Sequence, residues 1–288
     1  MAKLKERLRY PPPVEAVADE IEDKRLAASR WSLRRIRTTF PWLATYTLSG
    51  VWRLLHRQQL RLRRGRPQQY SPDPHYEAKE KVLLQALDKV GRQPLRFALL
   101  FSDEFTVNNW PLVGAEWSQA SGPAPQARRA NPGLRKRRIV GGLDAWTGLV
   151  TYRQANQIGK DTFAAFLRQV NRLYPIDCEH IFVVVDNWAV HSSDLVQRIL
   201  AQELHRIQLV FLPTYSPWLN PIEKLWGWLK EFLLRMHQHA DDFDLLKEKV
   251  TLFLNQFEHG SSDLLYRVGL SGNGKLATAL LSGFDGQK

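Results

Sequence analysis

Cysteine is nearly missing from this 288-residue chain, with Cys178 its single example. One cysteine excludes an internal disulfide and every multi-cysteine zinc site, so the thiol is expected to be a plain buried or half-buried side chain. Any metal should then be held by oxygen. No apolar run approaches the roughly 20 residues of a membrane span, and the N-terminus is charged rather than signal-like, which predicts a cytoplasmic protein with no membrane partner. Acidic residues are absent from Arg30 to Arg66, a stretch that holds ten arginines. Over the whole chain 41 lysines and arginines face 29 acids, a net charge of +12. Such an excess points to a polyanion, and arginine mixed with aromatic residues favours nucleic acid over lipid. The remaining composition, 44% apolar and 24% charged, is that of a globular protein with room for two domains.

The basic half opens with Lys3, Lys5, Arg7 and Arg9 ahead of Pro11 to Pro13, which predicts a mobile leader. Val14, Val17, Ala18 and Ile21 then mark a short amphipathic helix. Ser32 is placed to cap a helix over Leu33 to Phe40, Pro41 breaks it, and Thr47 can cap a second helix through Val51, Trp52, Leu54 and Leu55. Two short helices across a tight break predict a helix-turn-helix whose second helix turns Ser49, Arg53, His56 and Arg57 toward a DNA groove, with Arg34, Arg35 and Arg37 adding charge from the first. A basic hairpin that only neutralises phosphate is the alternative. In RLRRGRPQQ, Arg63, Arg64 and Arg66 cannot continue a helix past Gly65 and Pro67; they form either an arm suited to a narrow minor groove or a solvated linker. A helix from about Tyr76 to Val90 closes this domain or bridges to the next. The expected divisions are 1–75 for DNA binding, 76–93 for the connecting helix, 94–260 for a second domain and 261–288 for a tail of no clear period.

In the second domain Arg96 to Ser102 reads as a strand covered on both faces, delivering Asp103 and Glu104 at its end. A loop through Asn108 to Pro111 leads to short strand material around Glu116 to Gln119. Ile139 to Leu143 and Leu149 to Gln154 form a hairpin across the turn Asp144 to Gly148. A helix starts at Asp161 or Thr162. Ile181 to Val185 is a second buried strand and ends at Asp186; Ser192 or Ser193 caps the helix after it, and Ile207 to Leu212 is the next strand. Strand, helix and strand in succession imply a right-handed parallel crossover, so the sheet is mixed.

The stretch Leu212 to Lys230, LPTYSPWLNPIEKLWGWLK, turns abruptly from extended to helical. Prolines 213, 217 and 221 forbid a helix upstream. Asn220 is then the expected N-cap, Pro221 the first helical residue and Glu223 the third, with Ile222, Leu225, Trp226, Leu229, Leu233 and Met236 as the apolar face. A third-position glutamate after an asparagine cap can simply close a capping box. Likewise Asp103 and Asp186 can each be turn residues. Taken together, however, they sit where ligands bind in open α/β sheets, beyond the carboxyl ends of strands. Three convergent carboxylates repel one another unless protons or a divalent cation neutralise them. Oxygen ligands favour Mg2+ or Mn2+, and two such ions suit an in-line phosphoryl displacement.

SDEFTVNNWP around Asp103, VVVDNWAVHSS around Asp186 and LPTYSPWLNPIEKLW around Glu223 resemble the three signature blocks of DDE transposases of the mariner superfamily, in its bacterial insertion-sequence branch. Their order fits, as does the 37-position separation of Asp186 and Glu223. The resemblance covers roughly residues 30–260. It implies an α/β fold, an RNase H-like mixed sheet flanked by helices, behind a small all-α helix-turn-helix domain. It also implies that Asp103, Asp186 and Glu223 are the catalytic, metal-binding acids, with Mg2+ or Mn2+ as cofactor, two ions per active site. Glu104, Asn187, His191 and Asn220 match positions of the blocks without an assigned role; His191 would contact DNA or cap the following helix. The implied activity is cleavage of element ends by metal-activated water and attack of the freed 3'-hydroxyl on target DNA. The implied partners are double-stranded DNA, as terminal inverted repeats and target, and further copies of the chain in a homodimer or larger synaptic assembly. A nucleoid-associated cytoplasmic location follows. Family members often carry two helix-turn-helix units joined by a Gly-Arg-Pro-Arg-like linker, whereas one unit is clear here and RGRP follows it. A DNA-binding regulator or assembly protein derived from a transposase is the alternative reading, and a structure-directed RNase H-like nuclease a third.

Overall fold

The computed structural model describes residues 2–8, 30–62, 70–129 and 133–270 and divides the chain into two compact units, Met1–Pro67 and Gln68–Lys288. The expected helix over Val14 to Ile21, the arm residues Arg63, Arg64 and Arg66, and the tail beyond 270 lie outside the described residues.

The first unit contains α1 (Ala2–Arg7), α2 (Leu33–Thr39) and α3 (Leu48–Arg57). Ser32 Oγ accepts the Arg35 N–H at 3.2 Å and Thr47 Oγ1 accepts the Gly50 N–H at 3.1 Å, so both helices start at the expected caps. Between them Pro41 opens a single 3-10 turn, Pro41–Leu43. Leu4, Ile36, Leu43, Val51 and Leu55 close a small core, so Ala2–Arg7 is a helix held by Leu4 rather than part of the expected mobile leader. Since Val51 and Leu55 face inward, Ser49, Arg53 and Arg57 are exposed on α3 and His56 is half-buried.

The second unit is a three-layer sandwich around a five-stranded sheet of order β3-β2-β1-β4-β5. After α4 (Tyr76–Arg92) come β1 (Phe97–Asn108), β2 (Lys136–Asp144), β3 (Val150–Ala155), α5 (Lys160–Leu173), β4 (His180–Val185), α6 (Asp194–Gln202), β5 (Ile207–Phe211), α7 (Ile222–Leu229), α8 (Phe243–Asn255) and α9 (Ser262–Val268). β1 pairs antiparallel with β2 and parallel with β4, which confirms the mixed sheet. Alternation along β1 sends Leu99, Phe101, Phe105 and Val107 to the face covered by α4, α7 and α8, and Ala98 and Leu100 to the face covered by α5 and α6. Both faces are apolar because both are covered. Cys178 is buried, as its type predicts. Among the described residues no helix is long and apolar enough to cross a membrane.

Several local expectations are corrected. β1 does not end at Ser102: its second half, Ser102 to Asn108, continues to pair with β2 after β4 has given out. Glu116 to Gln119 form no strand, having no pairing partner. α5 begins at Lys160 behind Gly159, and although Ser193 occupies the cap position of α6 its hydroxyl donates to the Val190 carbonyl instead. Asn220 ends a 3-10 turn, Pro217–Leu219, and Pro221 takes the cap position of α7, so Glu223 is the second helical residue rather than the third. Finally, α7 runs into a π-helical turn, Lys230–Leu234. The wider turn advances the apolar face by one residue, so Leu234 is buried while Leu233 and Met236 are only half-buried.

Gly141 of β2 lies opposite Asp103 in the register, and a Cβ there would come within 2.7 Å of the Trp226 ring of α7. Gly141→Ala should therefore cost about 1 to 3 kcal/mol through overpacking, read from urea unfolding. An unchanged midpoint would mean that α7 does not bear on the sheet here.

Candidate active site

Two buried strands set the site. In the parallel register Phe101 lies opposite Val184, so two residues further Asp103 of β1 meets Asp186, the first residue after β4. Strand alternation puts Asp103 on the face covered by α7. There the Trp226 Nε1–H donates to Asp103 Oδ2 at 3.1 Å while its ring stacks on Phe105, with centroids 5.1 Å apart. Trp226 was expected only as core; its buried indole N–H needed an acceptor, and that need was the available signal. Asn220, buried between turn and helix, donates from Nδ2 to the Ser102 carbonyl at 3.1 Å and so ties the start of α7 to β1.

The charges of the acids converge on Asp103. Loss of water, then the charges of Glu223 and Glu104 and, more weakly, Asp186, push its pKa up to about 8. Glu223 is exposed, and partial loss of water raises its pKa while Lys230 opposes the rise. Asp186 behaves oppositely: its bond from His191 holds it below the usual carboxylate range. Its Oδ1 accepts the Trp188 N–H at 2.9 Å and lies 3.1 Å from His191 Nδ1.

Glu104 points to the other face of the sheet, as alternation along β1 requires, and its Oε1 lies 3.2 Å from His191 Nε2. Burial alone would lower the His191 pKa, but the bonds to Asp186 and Glu104 outweigh it and raise the value to about 9. Glu104, Asp186 and His191 thus form a close group whose ligand-type atoms all lie within 4.8 Å of one another. Both imidazole nitrogens face oxygen acceptors, an arrangement that matches a doubly protonated ring with no lone pair to give a metal. Of the three expected acids only Asp186 belongs to this group; Asp103 and Glu223 lie outside it.

Asn187 looks away from these acids. Its Nδ2 donates to the Leu212 carbonyl at 2.7 Å and its Oδ1 accepts from Lys79 Nζ at 3.1 Å. Lys79 is in turn bound to Asp73, whose Oδ2 also accepts the Thr214 N–H, both at 2.8 Å. The side chain of Asp73 is almost covered, and the bonds from Lys79 first, then Thr214, keep its pKa well below the ordinary range. This strap joins the segment before α4 to the loop leading into α7, and nothing in the spacing of Asp73 and Thr214 announced it.

A family model described as DDE superfamily endonuclease matches residues 98–247, just over half of the chain. The chain belongs to this family. The matched DDE segment runs from β1 into α8 and contains Asp103, Asp186 and Glu223. The chain is 29% identical over 223 residues to the insertion element IS630 uncharacterized 39 kDa protein of Shigella sonnei, a match covering 76% of this chain and 63% of that relative. It therefore spans a little under two thirds of the relative's length. In fold it is similar to the Mos1 transposase in its paired-end complex with the left transposon end, with a TM-score of 0.61 at 16% identity over 93% of this chain and 77% of the other. It is also similar to the Mos1 mariner paired-end complex with Mn, with a TM-score of 0.62 at 16% identity over 95% and 77%.

The raised pKa of Asp103 has a stability consequence. Between about 4 and 8 the folded chain keeps a proton that the unfolded chain has released, so stability falls as pH rises through that window. His191 acts in the same direction between about 6.5 and 9. In metal-free buffer, Asp103→Asn should flatten the decline in melting temperature between about pH 5 and pH 8. Calorimetry showing equal slopes for the two proteins would refute the protonated Asp103.

Proposed function

We propose that this chain is a DNA transposase that cleaves element ends and joins them to target DNA through Asp103, Asp186 and Glu223. The observation carrying this reading is that Asp103, buried on β1 inside the DDE segment, stands in the field of Glu223 and, more weakly, of Asp186. The residues fit a divalent cation: the donors are all carboxylate oxygens, and the charges of Glu223, Glu104 and Asp186 add to burial in pushing Asp103 toward its neutral form. Asp103, Asp186 and Glu223 would hold Mg2+ or Mn2+, two ions per site, which supply an activated oxygen nucleophile and charge stabilisation for in-line phosphodiester attack. Around them the chain's own groups orient the ligands. Trp226 fixes one oxygen of Asp103, the Trp188 N–H and His191 fix one oxygen of Asp186, and the first turn of α7 mounts Glu223.

In this reading residues 1–75 are the helix-turn-helix domain, 76–93 the connecting helix, 94–260 the catalytic domain and 261–288 a terminal segment whose α9 packs into the same core. Arg34, Arg35, Arg37, Ser49, Arg53, His56 and Arg57 meet double-stranded DNA, first as terminal inverted repeats and then as target. The reaction needs two ends held together, so the working form is a homodimer or a larger synaptic assembly in the cytoplasm, at the nucleoid. The exposure of Ser49, Arg53 and Arg57 on a helix whose opposite side is buried supports this assignment.

Cleavage of DNA carrying the inverted repeats that flank the gene, in Mg2+, tests the chemistry. Asp186→Asn and Glu223→Gln should each lower the rate by about a thousandfold or more, the scale of losing one member of a catalytic unit. Equal products from all three proteins would sink the assignment. For the DNA contact, Arg53→Ala and Arg57→Ala should each weaken binding and reduce the slope of log affinity against log salt by about 1. An unaltered slope would remove these arginines from the phosphate contacts.

A further inference from the structure

The side chain of His191 is only 2% exposed, whereas that of Asp186 is 58% exposed. An imidazole so deeply covered cannot reach a DNA strand. Its ring is gripped by Phe163 of α5, with centroids 4.4 Å apart, and meets Trp188 edge-on at 5.7 Å. In the orientation these contacts hold, Nε2 points to Glu104, and Nδ1 points to Asp186, 3.1 Å from its Oδ1 and 3.2 Å from its backbone carbonyl. Glu104 and the α5 contact belong to one face of the sheet, Asp103 and α7 to the other. His191 therefore reaches Asp186 from behind the sheet. Its contact and the Trp188 N–H both fall on Oδ1, and neither occupies Oδ2.

We infer that His191 is a positioning residue, a prop anchored on Glu104 that fixes the carboxylate of Asp186 so that its second oxygen can bind a divalent ion. The inference rests on the proposed ion-binding role of Asp103, Asp186 and Glu223. An exposed aspartate at a strand end has several rotamers, and each one abandoned on ligation costs affinity. Locking Oδ1 removes that cost before the ion arrives. Partners behind a metal ligand typically contribute ten- to a hundredfold in affinity. Glu104 does not touch Asp186; it acts by holding the ring.

The test is Mn2+ binding to the full chain without DNA, followed by the electron-paramagnetic-resonance signal of free Mn2+. Wild type, His191→Ala, His191→Asn and Glu104→Ala are compared, each checked for folding by circular dichroism. His191→Ala should bind about tenfold more weakly. His191→Asn, which keeps a donor on the Asp186 side, should recover most of that loss, and Glu104→Ala should fall between. Should His191→Ala not fold, the other two variants still decide the matter. Wild-type affinity in Glu104→Ala, or in a folded His191→Ala, overturns the prop. A folded His191→Asn as weak as the alanine variant also overturns it, because His191 would then be a ligand itself. If wild type binds no Mn2+, the metal site has failed rather than the prop, and the cleavage comparison above will show the same failure independently.

Discussion

Like charges held side by side at the end of a parallel strand pair are the constraint on which this catalytic-type domain depends. β1 and β4 are buried on both faces, so their direction and register are set by apolar packing alone. That register brings Asp103 beside Asp186 whatever their charges prefer. α7 then adds Glu223, and burial of Asp103, reinforced by the charges of Glu223 and Glu104, pushes its pKa up to about 8.

The surrounding structure absorbs the consequences one acid at a time. Asp103 receives the indole N–H of Trp226, whose ring can lie on the sheet because Gly141 leaves the space. Asp186 is compensated by His191 from the opposite face, which is why its pKa falls while that of Asp103 rises. Glu223 is exposed in the first turn of α7, where partial loss of water raises its pKa against the opposing charge of Lys230. Three carboxylates of one cluster thus have three different environments.

Charge is also segregated along the chain. The arginines from Arg30 to Arg66 meet no acidic residue in that stretch, and most of the described ones are exposed around the small core of α2 and α3. The acid cluster sits on a separate compact unit with its own core.

Most of the scaffold was legible in the residues. Continuous apolar runs marked β1 and β4, Ser32 and Thr47 marked the helix starts, and the prolines around Glu223 marked where α7 begins to within one residue. These are short-range signals, set by backbone dihedrals and by side chains that bond within three residues. Asp103, Asp186 and Glu223 could be chosen because each stands where such a signal ends. Their surroundings were not legible. That His191 is buried against Glu104, that Trp226 bonds Asp103 and that Asp73 straps Thr214 are contacts between residues 87, 123 and 141 positions apart, created by strand order and helix packing. The π-helical turn after α7 escaped for a similar reason: its extra residue is dictated by what Leu234 packs against, not by the local pattern of apolar residues. Sequence alone determined which groups the protein could bring to a reaction; only the tertiary structure decided which of them face one another, because packing of the two sheet faces sets that choice.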